Sequence, residues 1–409
     1  MLNVDLLLFN EHQAVNELIL SDNNIVQLPG HILKKLKNLR SLDLSWNVME
    51  DVHTGMFADL RNLENLNLSN NLLKKFDGSL LKILPKLEIL NLSFNRISSI
   101  NYAEKDQIKS ITFLDLSHNN ISDISNDIFH SLPNLRVLNL SFNKIHLLHG
   151  EGLAYLSNLQ MFRINNNFLT SLDIQMLPSS LQELYSGHNA ITEVIYGSTG
   201  LKVLSIEYNE ISELEMNLRL QTNLRHLNVS GNTLTDFPKV NLQELTILDI
   251  SHNKLTNIPE TISTENLPSL LELNISENPI TKLIFQLPLR LRSFTVNNIN
   301  LLETIDQDTF SKLESIPNEC INLTISHNEK LFFIHENALK HMNICSLDLS
   351  YNHMTHVPST LIPSNINFES FLINLQGNPY NCNCSLQWML SDLLPKLYSL
   401  WPNLLDDLR

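Results

Sequence analysis

A chain of 409 residues could hold two or three globular domains, unless an internal repeat overrides that count. Hydrophobic residues make up 43% and charged residues 17%, a balance that suits a folded protein with a continuous core and excludes a disordered chain. With 43 acidic against 28 basic side chains the net charge is -15. That sets nucleic acid and anionic membrane surfaces aside as main partners, since both demand a basic footprint. No stretch reaches the roughly 20 apolar residues of a membrane span. The most apolar tail, 388–405, is cut by Asp392, Pro395, Lys396 and Pro402, so a membrane would enter only through a segment outside this chain. The segment after Met1 carries Asp5, Glu11 and His12 and no cleavage-like site, which reads as a cytosolic chain or as a trimmed piece of a longer precursor.

In chain order, Val4 and Phe9 match the apolar positions of a unit whose opening strand is missing, so the sequence starts inside a repeat. The pattern L-x-x-L-x-L-x-x-N-x-L then recurs, as in Leu39-Leu42-Leu44-Asn47-Met49, Leu87-Leu90-Leu92-Asn95-Ile97 and Leu135-Leu138-Leu140-Asn143-Ile145. Its asparagine column runs Asn23, Asn47, Asn71, Asn95, Asn119, Asn143 and Asn167, each 24 residues from the last. It continues at spacings of 22, 20, 23, 21 and 25 through Asn189, Asn209, Asn232, Asn253 and Asn278, and resumes at Asn328, Asn352 and Asn378. A degenerate copy, Leu291-Phe294-Val296, has Ile299 at the asparagine position. About sixteen repeats result.

Leucines alternating at period two point inward from a short strand, and the residues between them face out. One such unit cannot bury its own apolar face, whereas stacked units bury a shared one. After each strand the backbone turns sharply, and a buried asparagine amide satisfies the groups freed there. Looser apolar residues such as Val52, Phe57 and Leu60, or Ile124, Phe129 and Leu132, fill the other side.

These residues resemble the leucine-rich-repeat family, and within it the 24-residue class of Toll-like receptor ectodomains and chaoptin-type surface proteins. The resemblance covers about residues 15–390 and implies an α/β repeat fold: a curved solenoid with a concave parallel β-sheet. The stretch Asn378-Pro379-Tyr380-Asn381-Cys382-Asn383-Cys384, followed by Leu386 and Trp388, looks like the opening of the cysteine-rich C-terminal cap of secreted members. The expected organisation is a solenoid over 1–376 and the start of a cap over 377–409. In such caps each cysteine bonds a downstream partner, and none follows here, so Cys382 and Cys384 read as truncated cap cysteines or, on the plainer reading, as two free thiols or half a zinc site. Cys320 occupies a core leucine position and Cys345 sits one place after the equivalent Ile344. A disulfide between them needs a local register adjustment; two unpaired thiols are the other reading. Sequons occur at Asn67, Asn91, Asn120, Asn139, Asn228, Asn274, Asn322 and Asn383. The repeat consensus itself generates several, and Asn383 between cysteines is the poorest of them.

No catalytic constellation is present: no G-x-S-x-G, no phosphate loop and no H-E-x-x-H. The expectation is a binding module that is not an enzyme and takes no cofactor or metal. His118, His188, His252 and His327 precede ladder asparagines in a slot shared with Trp46, Phe94, Phe142, Tyr208 and Tyr351, and read as a surface position at the strand end. His146 and His149 lack a third ligand. Generic repeats place Asn or Asp at the outward slot between strand leucines, but three successive repeats carry Arg163, Tyr185 and Ser205, preceded by Met161, Glu183 and Val203. Sequons at Asn139 and Asn228 flank this window and none falls within it. These six residues are therefore the expected ligand-binding patch. The resemblance implies extracellular recognition as the ectodomain of a Toll-like or chaoptin-like receptor, with a protein ligand or co-receptor and with homo- or heterodimerisation. The alternatives are a secreted soluble immune factor, or the regulatory ectodomain of an enzyme such as a receptor kinase encoded past Arg409.

Overall fold

The leucine alternation becomes a ladder of very short parallel strands in a computed structural model, which describes residues 14–29, 32–101, 107–123, 129–148, 150–361, 371–381 and 386–395. Val4, Phe9, Ile124, His149, Cys382, Asn383 and Cys384 lie outside the described residues. The chain divides into two compact units, 1–209 and 210–409.

Among the described residues of the first unit nine strands pair side by side, beginning at Glu17–Ile19, Ser41–Asp43 and Asn65–Asn67 and reaching Met161–Arg163, Glu183–Tyr185 and Val203–Ser205. Their central residues are direct cross-strand partners, Leu42 to Leu66, Leu66 to Leu90, and on through Leu114, Leu138 and Phe162 to Leu184 and Leu204. Each of these is almost fully buried, so the apolar column predicted from period two is the core. Its share of the driving force is large, because burying one leucine side chain stabilises by roughly 1.5–3 kcal/mol. Opposite the strands, short helical turns such as Thr54–Met56 and Ser79–Ile83 alternate with extended segments, and Phe57, Leu60, Phe129 and Leu132 close the core. The 22- and 20-residue repeats after Asn167 pair Ser171–Asp173 with Glu193–Ile195 on this side. A strand spans about 3.3 Å per residue against about 1.5 Å for a helix, so extended chain closes a shorter repeat.

The asparagine column is the polar half of the same design. Asn71 Nδ2 donates to the carbonyl of Leu44 in the preceding turn (2.9 Å) and to Leu68 in its own (3.2 Å), while its Oδ1 accepts from the Met49 N–H (3.1 Å). Asn95, Asn119, Asn143 and Asn167 repeat this arrangement.

Among its described residues the second unit has seven strands of the same kind, from His226–Asn228 to Leu372–Asn374. Ile299 is buried where an asparagine would stand, and Asn328 spans the weakened rung by accepting from the Ile299 N–H (2.8 Å) and donating to the Val296 carbonyl (3.1 Å). Cys320 and Cys345 form a disulfide with Cα atoms 5.2 Å apart. The register adjustment is a β-bulge: Ile321 pairs with Ile344 but Asn322 pairs with Ser346, which leaves Cys345 as the extra residue. The core assignment of Cys320 is corrected, because Ile321 fills the leucine position and is fully buried while Cys320 is half-buried beside it. Among the described residues no helix is long and apolar enough to cross a membrane.

Candidate functional site

The outward Asn/Asp slot has a structural duty. Asp43, Asn67, Asn91, Asp115 and Asn139 each accept, through Oδ1, the backbone N–H two residues on, at 2.8–3.1 Å. The short polar side chain thus caps the turn after the strand. Asn228, Asp249, Asn274 and Asp348 do the same in the second unit. The five sequon asparagines of this slot are half-buried, and the Nδ2 of Asn139 is also bonded to Asp115 (3.2 Å) and that of Asn274 to Asp249 (3.0 Å). Asn120 and Asn322 are exposed.

Arg163, Tyr185 and Ser205 abandon that duty. The Gly187 N–H, which residue 185 would cap in a generic repeat, is taken by Asn165 Oδ1 from the neighbouring turn (2.8 Å). Freed from the backbone, the side chains organise among themselves. The Arg163 guanidinium lies over the Tyr185 ring, 5.5 Å from its centre, a cation–π geometry. The Tyr185 hydroxyl donates to Glu183 Oε2 (2.9 Å). Burial pushes the Tyr185 phenol above its ordinary range, and the hydrogen bond to the Glu183 carboxylate adds to the rise. Met161, Arg163, Glu183, Tyr185 and Val203 are all half-buried on adjacent, in-register strands, so the structure brings five of the six predicted residues together on the sheet face.

Ser205 departs from the expectation. It is buried, and its hydroxyl is donated to Glu207, which presents the accessible group at that corner. Gly187 makes room for this, since a Cβ there would come within 2.2 Å of Glu207 Oε1. The continuation of Met161's row through the preceding strands escaped sequence reasoning. Ile89, Phe113, Val137 and Met161 are direct neighbours on four consecutive strands and run as an apolar stripe into the Arg163–Tyr185 cluster. Cross-strand comparison of that single position would have found it.

A second pattern lies at the strand ends. The slot before each ladder asparagine has a left-handed backbone, with φ between 53° and 57° at Trp46, Asn70, Phe94, His118, Phe142 and Asn166. Glycine fills it at Gly231 and Gly377. A larger residue there costs roughly 1–2 kcal/mol. Stacking returns part of this: His118 is sandwiched between Phe94 (3.9 Å) and Phe142 (4.0 Å), and a stacked ring pair contributes about 0.5–1.5 kcal/mol. Burial between those rings lowers the His118 pKa, against a smaller opposing pull from Asp115. His146 stacks on Phe168 at 5.2 Å. Among the described residues no group of three or more His, Cys, Asp or Glu could hold a metal ion.

With this geometry in hand, the comparisons define the class. A "Leucine rich repeat" family model matches residues 13–73, 61–121 and 110–169, and a "Leucine Rich repeats (2 copies)" model matches 222–263. The chain is a leucine-rich-repeat protein. Chicken lumican is 26% identical over 222 residues, 51% of this chain and 60% of lumican, and bovine osteomodulin is 30% identical over 217 residues, 50% of this chain and 47% of its own length. The chain thus spans about half to three-fifths of the relatives it matches. Among solved structures, the Toll–Spätzle complex of Drosophila aligns with a TM-score of 0.60 at 18% identity, over 91% of this chain and 66% of that one. The LRIM1/APL1C complex aligns with a TM-score of 0.61 at 22% identity, over 94% and 67%. At these identities the likeness shows the fold. Lumican and the Toll ectodomain are extracellular.

Proposed function

We propose that this chain is an extracellular, non-enzymatic recognition module that acts as a secreted factor and holds a protein partner on the sheet face around Arg163 and Tyr185. The observation that carries the reading is the three-turn loss of the Asx cap in favour of an ordered Arg163–Tyr185–Glu183 cluster. Capping residues are exchanged there for an arginine and a tyrosine, the side chains most often found anchoring protein interfaces. Their mutual contacts hold them in place before a partner arrives, which lowers the ordering cost of binding. Lumican and osteomodulin among the relatives favour a secreted factor over a receptor ectodomain. Solved leucine-rich-repeat chains of similar fold occur in complexes with Spätzle and with APL1C, which supports a protein as the partner class.

The experiment places a photo-crosslinking amino acid at position 185, with position 43 as a control on the same face, in protein secreted from animal cells. A discrete adduct is expected at 185 and not at 43, and Arg163→Ala should weaken its formation roughly tenfold, the loss of one interface anchor. An adduct of equal yield at 43, or one indifferent to Arg163→Ala, defeats the proposal.

A further inference from the structure

We propose that the strand-end column Asn70–Phe94–His118–Phe142–Asn166 is a self-association surface whose occupant is a second copy of this chain, related by a two-fold axis through His118. The fold requires only a left-handed backbone at these positions, and Gly231 and Gly377 meet that requirement with no side chain. Phe94 and Phe142 are nonetheless ring-bearing, strained and close to half exposed, at 49% and 46%. Stacking on His118 offsets part of that strain, and the half of each ring left in water is surface that a partner can cover.

Two observations name the occupant. The first is symmetry. Read outward from His118 in either direction, the column gives phenylalanine and then asparagine, at a constant 24-residue step, with ring separations of 3.9 Å and 4.0 Å on the two sides. A two-fold interface requires that residue i meet j while j meets i. Rotation about an axis through His118 sets Phe94 against Phe142 of the partner subunit, and Asn70 against Asn166 of the partner subunit. The strand ladder keeps the repeat constant at about 4.8 Å per step, so the two columns stay in phase over their whole length. Trp46 before the column and His188 after it break the palindrome, so only one centre satisfies it.

The second is charge. A molecule of net charge -15 repels its own copies over most of its surface. This column contains no carboxylate, ammonium or guanidinium, and His118 is held towards its neutral form. Charged side chains lie beside it at Arg96, Lys144 and Asp115, the last turned into its own strand end, where it accepts the Ser117 N–H. A self-complementary strip of rings and neutral amides, with no charge of its own, is a surface on which two such chains can meet.

The test is sedimentation equilibrium of the whole chain from about 1 µM to about 100 µM, a range that brackets micromolar affinity. A monomer–dimer equilibrium is expected, strengthened by added salt as the general repulsion is screened. Phe94→Asn and Phe142→Asn should each weaken it at least about tenfold while holding or raising the melting temperature, because asparagine accepts the left-handed backbone more readily. Those two readouts separate loss of the surface from loss of the fold. Geometry is checked with Asn70→Cys and Asn166→Cys, with linked peptides identified by mass spectrometry. The mixture of the two variants should crosslink between 70 and 166, and Asn70→Cys alone should not link 70 to 70. A monomer throughout the range, dimers indifferent to both phenylalanine changes, or 70-to-70 links would each overturn the proposal. None of these results bears on the Arg163–Tyr185 face, which lies on the strands and not at their ends.

Discussion

Replacing Asn95 with alanine tests the polar ladder at the level of single hydrogen bonds. Asn95 Nδ2 donates to the carbonyls of Leu68 (2.9 Å), Leu92 (3.1 Å) and Ser93 (3.1 Å), and Oδ1 accepts from the Leu73 N–H (3.0 Å). The three carbonyls are not abandoned by the change. Leu68 keeps Asn71 Nδ2, Leu92 keeps Asn119 Nδ2, and Ser93 keeps the Asn70 N–H. The Leu73 N–H has no second acceptor and is left unpaired in the core. One buried orphan donor costs about 1–3 kcal/mol, so a loss near the middle of that range is expected. Asn95→Asp should be worse, because a carboxylate would face three carbonyl oxygens without a proton to offer them. Asn16→Ala, at an exposed position outside the column, should leave stability unchanged. Urea-induced unfolding measures the three variants, and amide exchange at Leu73 reports the orphan directly. If Asn95→Ala unfolds with Asn16→Ala, or Leu73 stays as protected as before, the ladder does not carry the load assigned to it.

Two further outcomes are open to measurement. Reduction of Cys320–Cys345 reopens a loop of 25 residues, which on chain-entropy grounds destabilises by about 3–4 kcal/mol. A reductant should lower the melting temperature, and Cys345→Ser should abolish that sensitivity; reactive thiols at both positions in the folded, unreduced protein would contradict the pairing. Tyr185 should ionise above the ordinary tyrosine value of 10.0, and Glu183→Gln should bring it down. Because the folded state raises this pKa, its contribution to stability is complete below the unfolded value and is lost as pH rises through the folded one. Ultraviolet titration of the phenolate checks both points, and a Tyr185 pKa indifferent to Glu183→Gln would remove the hydrogen bond from the account.

Strand positions, core residues and the asparagine column were legible in the sequence because each depends only on spacing along the chain. Period two sets which residues face inward, and a constant repeat length sets which residues become neighbours, so Leu66 on Leu90 and Asn71 under Leu44 follow from counting. The proposed binding patch was legible for the same reason, as a break in the outward slot at Arg163, Tyr185 and Ser205. What counting could not supply is how side chains arrange themselves between turns. Glu207 folds over Ser205 because Gly187 leaves room in the preceding turn, and Asn165 caps Gly187 because Tyr185 cannot. A bulge of one residue moves Ile321 into the core and brings Cys345 to Cys320. The rings at 94, 118 and 142 stack because their shared left-handed backbone aims them along one line. All four depend on contacts between residues about 20 to 25 apart in the chain, whose geometry is fixed only once the turns have stacked.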